Sequence, residues 1–131
     1  MAKRRFTFSA TLPPYAAPRN EWRRRVHAAV LEAQASRGVG YSENDRLEVR
    51  LELFLGSRPL AMLDIEERVN DVLDALGGHI AGPRSIRRIA PIVPDADQIR
   101  RIVLEKSTRN LRGRPFGQLT LSRYGRLRRG G

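Results

Sequence analysis

The chain has 131 residues, 40% of them hydrophobic, and 25 Lys and Arg against 14 Asp and Glu give it a net charge of +11. That length is one domain's worth and can bury a core without staples; the absence of cysteine excludes disulfides, thiolate zinc and a cysteine nucleophile. No apolar run approaches the roughly 20 residues of a membrane span, and no apolar stretch follows Lys3, Arg4 and Arg5 as a signal peptide requires, so a soluble cytoplasmic protein is expected.

Residues 6–12 alternate apolar and polar positions and predict a strand, stopped by Pro13 and Pro14. A helix is expected from Pro18–Asn20 onward, with Trp22, Val26, Ala29, Val30 and Ala33 on one apolar face, Arg23, Arg24 and Arg25 mostly off it, and Gly38 and Gly40 as its end. In residues 47–55, Leu47, Val49, Leu51, Leu53 and Leu55 point one way and Glu48, Arg50 and Glu52 the other, which predicts the clearest strand. A second helix is expected over about 65–76, with Ile65, Val69, Val72, Leu73 and Leu76 buried and Gly77-Gly78 as its stop. Residues 79–94, rich in Gly, Pro and Arg, are read as a long loop holding one short extended piece at 86–92. Strands at 98–106 and 117–124 follow. The expected class is α/β (α+β): a mixed sheet with two main helices in the order β-α-β-α-β-β. It forms one domain over residues 1–125, with a basic, frayed tail at 126–131.

Only Lys3 and Lys106 are lysines, so nearly every cation is a guanidinium, whose planar fork binds two phosphate oxygens at once. A GC-rich coding bias accounts for arginine over lysine but not for the net charge. Nucleic acid is the expected partner, with acidic lipid or acidic protein as alternatives.

In so basic a chain the clustered acids are informative. Asp64, Glu66, Glu67, Asp71 and Asp74 fall within eleven residues, and Asp95 and Asp97 precede the third strand. Carboxylates near a polyanion are useful when a divalent cation bridges the two. The structural alternative is that Asp64 and Glu67 form a capping box, with Asp71 and Asp74 on a solvated face paired to Arg68 and its neighbours. Glu66, Asn70 and Asp74 form an i, i+4, i+8 polar stripe beside the buried face. His27 and His79 make no metal signature and are expected at the surface, His79 in a loop. No phosphate loop or hydrolase triad is present.

The stretch Asp64-Ile65-Glu66-Glu67-Arg68-Val69-Asn70-Asp71-Val72-Leu73-Asp74-Ala75-Leu76, then Asp95-Ala96-Asp97-Gln98-Ile99 and a strand closing on Glu105-Lys106, resembles the RusA-type Holliday junction resolvases. That family typically shows Asp-x-Asp-Asn, a Lys four residues after the second Asp, an Asp-Ala-Leu ending, then Asp-Asp-x-Gln-Val and a strand ending in Lys. Thr11-Leu12-Pro13-Pro14 is also similar, and the likeness is strongest over 64–106. It implies a homodimer that binds four-way DNA junctions and nicks them in pairs, in recombination and repair, using Mg²⁺. Residues 1–125 would then be the nuclease domain. The resemblance places the metal and catalytic acids at Asp64 and Glu66. The third acid would stand at position 96, which is Ala96, so Asp95 or Asp97 takes that role through a one-residue shift. The family's lysine falls on Asn70 and its asparagine on Glu67. Phosphate contacts are then expected from Asn70, Arg68, Arg84, Arg87, Arg88 and the arginines of the first helix.

Overall fold

In a computed structural model of the chain, the N-terminal alternation becomes β1 (Phe8–Leu12), with Phe8, Ala10 and Leu12 buried and Ser9 and Thr11 exposed. The structure describes residues 6–54, 62–81, 86–88, 92–94, 96–107 and 115–124, and at 62–64, 79–81, 86–88 and 96 only the course of the backbone. Leu55 and the tail at 126–131 therefore lie outside the described residues.

The first helix, α1 (Arg19–Arg37), follows Pro18 and ends at Gly38, whose φ of 68° is the left-handed conformation glycine adopts without a Cβ penalty. The Gly38 and Val39 N–H groups donate to the Ala35 and Gln34 carbonyls, satisfying the last turn. Trp22, Val26 and Val30 are buried as expected. Burial extends one position further round the helix, to His27, because α1 packs on both β1 and the second helix. His27 is thus a buried residue and not a surface one, and Arg23, one turn before it, is withdrawn from solvent too.

Leu47, Val49, Leu51 and Leu53 of β2 (Leu47–Phe54) are buried, with the polar positions between them on the other face. The second helix, α2 (Met62–Leu76), begins three residues before its expected start. Met62 and Leu63 are strong helix formers, so Asp64 lies inside the first turn and the predicted capping box at 64–67 is not the helix start. Gly78, with φ of 76°, follows its end.

Residues 79–94 are not one loop: β3 (His79–Ala81) and β4 (Ile86–Arg88) pair antiparallel as a small separate sheet, which puts His79 at the start of a strand. A single 3-10 turn (Ala96–Gln98) leads into β5 (Ile99–Ser107), and β6 (Gly117–Arg123) is the last element among the described residues.

The main sheet is mixed, in the order β1-β6-β2-β5, so the expected β-α-β-α-β-β order and α+β class are those observed, with β3 and β4 added. β6 runs antiparallel to β1 and β2, whereas β2 and β5 are parallel. Register aligns Phe8, Leu121, Val49 and Ile102 in one row and Ala10, Leu119, Leu51 and Leu104 in the next. The members of these rows on β1, β6 and β2 make the core beneath the helices, joined by Trp22, Ile65, Val72 and Leu76, whereas Ile102 and Leu104 on β5 are exposed. The opposite face is polar; on it Ser9 Oγ and Thr120 Oγ1 lie 2.9 Å apart. No helix among the described residues is long and apolar enough to cross a membrane.

Candidate functional site

Arginines and acids meet first between the helices. Asp71, with its side chain fully buried, is held by three guanidinium groups. Arg19 Nη2 lies 2.8 Å from Oδ1, and Arg23 reaches the same oxygen through Nε at 2.9 Å and Nη2 at 2.8 Å. Arg68 Nε faces Oδ2 at 3.4 Å. A carboxylate this far from water is stable only with charge partners. Asp71 is therefore a buried anchor and not part of a solvated face. Asp74 adds an ion pair to Arg23 at 3.3 Å, and Glu67 one to Arg68 at 3.4 Å. The hydrogen bond from Arg19 to Asp71 raises the arginine's pKa, partly opposed by desolvation.

The Arg68–Asp71 pair was expected from the sequence, but its burial and its partners on α1 were not. The trace of the full cluster is spacing: Arg19 and Arg23 are four apart on one helix, and Arg68 and Asp71 three apart on the other, so each pair shares a helix face. An aromatic chain extends it. The Arg68 guanidinium stacks 4.0 Å from the Tyr15 ring centroid, Tyr15 meets Trp22 edge-on at 5.2 Å, and Trp22 meets Phe116 at 5.1 Å. Trp22 Nε1 donates to the Pro13 carbonyl at 3.1 Å.

Of the expected site residues, Glu66 and Asn70 are exposed on α2, one turn apart, where solvent and ligand reach them. Arg68 is tied to Asp71, Glu67 and Tyr15. Asp64 lies on α2 in the described backbone, two positions before Glu66, and positions two apart on a helix do not share a face. Asp97 is exposed on the 3-10 turn. Arg87 and Arg88 belong to β4. Asp95 and Arg84 lie outside the described residues.

A second cluster fixes the start of β5. Gln98 Nε2 donates to the carbonyls of both Ser42 and Asp45 at 2.6 Å, and Asp45 Oδ2 accepts from the Ser42 N–H at 2.9 Å. Gln98 thereby clamps the 3-10 turn carrying Asp97 to the chain just before β2. The Tyr41 hydroxyl donates to the Phe6 carbonyl at 2.8 Å; burial, and then the charge of Asp45, raises its pKa above the ordinary phenol range.

The strand directions decide how far apart the acids stand. Tyr15, Trp22 and Phe116 link Arg68 to the end of β2, where the Phe54 N–H donates to the Phe116 carbonyl. Position 64 is a helical turn further out still. Gln98 sits instead beside the start of β2, where Leu47 pairs with Ile99. The seven steps along β2 cover about 23 Å. Within one chain, Asp97 and the first turns of α2 are therefore at opposite ends of the sheet. Among the described residues, no three carboxylate or imidazole side chains come together as a metal-binding group.

Several exposed cations stand outside these clusters, among them two neighbouring ones on α1. Arg24 and Arg25 are exposed on α1, and neither forms an ion pair with the described residues. No family model matches the chain, and no curated protein matches it.

Proposed function

We propose that this chain is a cytoplasmic, arginine-dependent DNA-binding protein of the RusA type, a Mg²⁺-dependent endonuclease that nicks four-way junctions in pairs during recombination and repair. The observation that carries this reading is a charge of +11 in a protein that nevertheless exposes Glu66 and Asn70 on α2 and Asp97 on the 3-10 turn anchored by Gln98. Shape-selective affinity would come from phosphate contacts by Arg24 and Arg25, and by Arg84, Arg87 and Arg88. With the two acid groups apart in one chain, this reading calls for a homodimer in which each site is shared. Asp64 and Glu66 of one copy would hold the ion together with Asp95 or Asp97 of the other.

A mixing experiment tests this on a labelled junction with Mg²⁺. Asp64→Asn alone and the double variant Asp95→Asn, Asp97→Asn alone are each expected to be inactive. Mixed, they regain nicking at one of the two sites, because one shared site in the mixed dimer is wholly native. No nicking by the native chain removes the nuclease reading. Nicking that the mixture fails to restore removes the shared site.

The second reading is a non-catalytic DNA-binding protein of the same fold. It is favoured by Ala96 at the third acid position and by the separation of the acids within one chain. Its signature is junction binding that falls steeply with salt, with no cleavage under any divalent ion.

A further inference from the structure

The apolar rows of the sheet do not stop where the helices stop. Ile102 and Leu104 continue the rows of Val49 and Leu51 onto β5, yet they are 48% and 40% exposed. β5 ends the sheet, with β2 on one side and no strand among the described residues on the other. A strand edge with no neighbouring strand among the described residues, beside two half-exposed aliphatic side chains, forms a template for another strand.

We infer that this edge is an interface between two copies of the chain, formed by antiparallel pairing of β5 with itself about Val103. The sequence of the strand selects both the partner and the register. Centred on Val103, Arg101 of each copy lies opposite Glu105 of the other, and Ile102 lies opposite Leu104. Sliding the centre to Ile102 or Leu104 sets Arg101 against Val103 or Ser107 and leaves the charges unmatched. Side-chain alternation is preserved at the Val103 centre, so the charged pairs fall on the polar face and the aliphatic pairs on the helix-bearing face. Arg101 and Glu105 are more than half exposed, and each already touches one charge on β2: Arg101 Nε lies 3.7 Å from Glu48, and Glu105 lies 3.1 Å from Arg50. Pairing would extend this alternating ladder across the seam. Arg100 would meet Lys106, a like-charged pair that limits the match to its central five residues. The inference deepens the function proposed above, resting on it only for the need of a second copy. Two-fold pairing also brings the start of β5 in one copy beside the end of β5 in the other, the end of the sheet at which α2 begins.

The test is a charge exchange read by light scattering across a dilution series of the full chain. The native chain is expected to dimerise. Arg101→Glu or Glu105→Arg alone places like charges opposite each other twice and should weaken the dimer roughly tenfold or more, while circular dichroism stays native. An equimolar mixture of the two variants restores opposite charges at both positions and should recover the native dissociation constant. A native chain that stays monomeric, or a dimer indifferent to both exchanges, overturns the inference. The nicking assay is separate: a dimer that obeys the exchanges but cuts nothing removes the nuclease reading and leaves the interface standing.

Discussion

Replacing Asp71 by Asn removes one negative charge and leaves three guanidinium groups facing a neutral amide. Removing one partner of a buried ion pair costs roughly 3–5 kcal/mol, because the remaining charge is left without compensation. Here the cost falls at the low end, for reasons visible in the cluster. Arg19 is 45% exposed and can turn to water; Arg23 keeps Asp74, and Arg68 keeps Glu67. The expected loss is about 3 kcal/mol, out of roughly 7–20 kcal/mol for a domain of this length. At about 3–4 °C per kcal/mol this lowers the melting temperature by about 10 °C. Urea unfolding of Asp71→Asn, Arg23→Ala and the double variant gives the coupling directly. It should be about 2 kcal/mol between Asp71 and Arg23, whose side chain is only 15% exposed. Arg19→Ala should cost less than about 1 kcal/mol, as exposed pairs do. A loss below about 0.5 kcal/mol for Asp71→Asn would refute the view that this carboxylate joins the two helices.

Gly117→Ala is expected to destabilise by about 3 kcal/mol, because a Cβ there would run into the Glu52 backbone carbonyl across the β2–β6 pair, and backbone cannot yield as a side chain can; equilibrium denaturation measures it. The raised pKa of Tyr41 makes a pH prediction. Above about pH 10 the unfolded chain has lost a proton that the folded chain keeps, so this contribution is full below that pH and is lost as the pH climbs through the folded value. Tyr41→Phe should therefore flatten the alkaline limb of the stability profile; an unchanged limb would mean that the phenol is not held neutral. Arg24→Ala and Arg25→Ala should each make the slope of log affinity against log salt shallower by roughly 0.9 in junction binding, and an unaltered slope would place the phosphates elsewhere.

The strands were legible where one face is covered and the other wet. Period-two alternation in β1 and β2 follows directly from that, and burial matches it residue by residue. β5 is different: Ile102, Val103 and Leu104 are consecutive, and all three are at least part-exposed because the strand lies beyond the reach of the helices. Sequence pattern reports that such residues are apolar, not that nothing covers them. The start of α2 was misplaced because Asp64 and Glu67 have the spacing of a cap, while Met62 and Leu63 before them are good helix formers. Asp71, Arg23 and His27 could not be assigned to the interior from their own helices. Their burial depends on α1 meeting α2, and each would be an ordinary exposed residue on an isolated helix.

The acids of the candidate site show the same limit in a sharper form. Their identity and spacing along the chain were readable, and the resemblance gave them roles. Whether they meet depends on strand direction, which no local pattern encodes. Because β2 and β5 are parallel, the chain must return to the start of the sheet before β5 begins. α2 makes that return, so its first turn lies at the end the chain has left and the 3-10 turn with Asp97 at the end it reaches. With parallel strands, the nuclease proposed above would need a second copy turned end for end to bring its two groups of acids together.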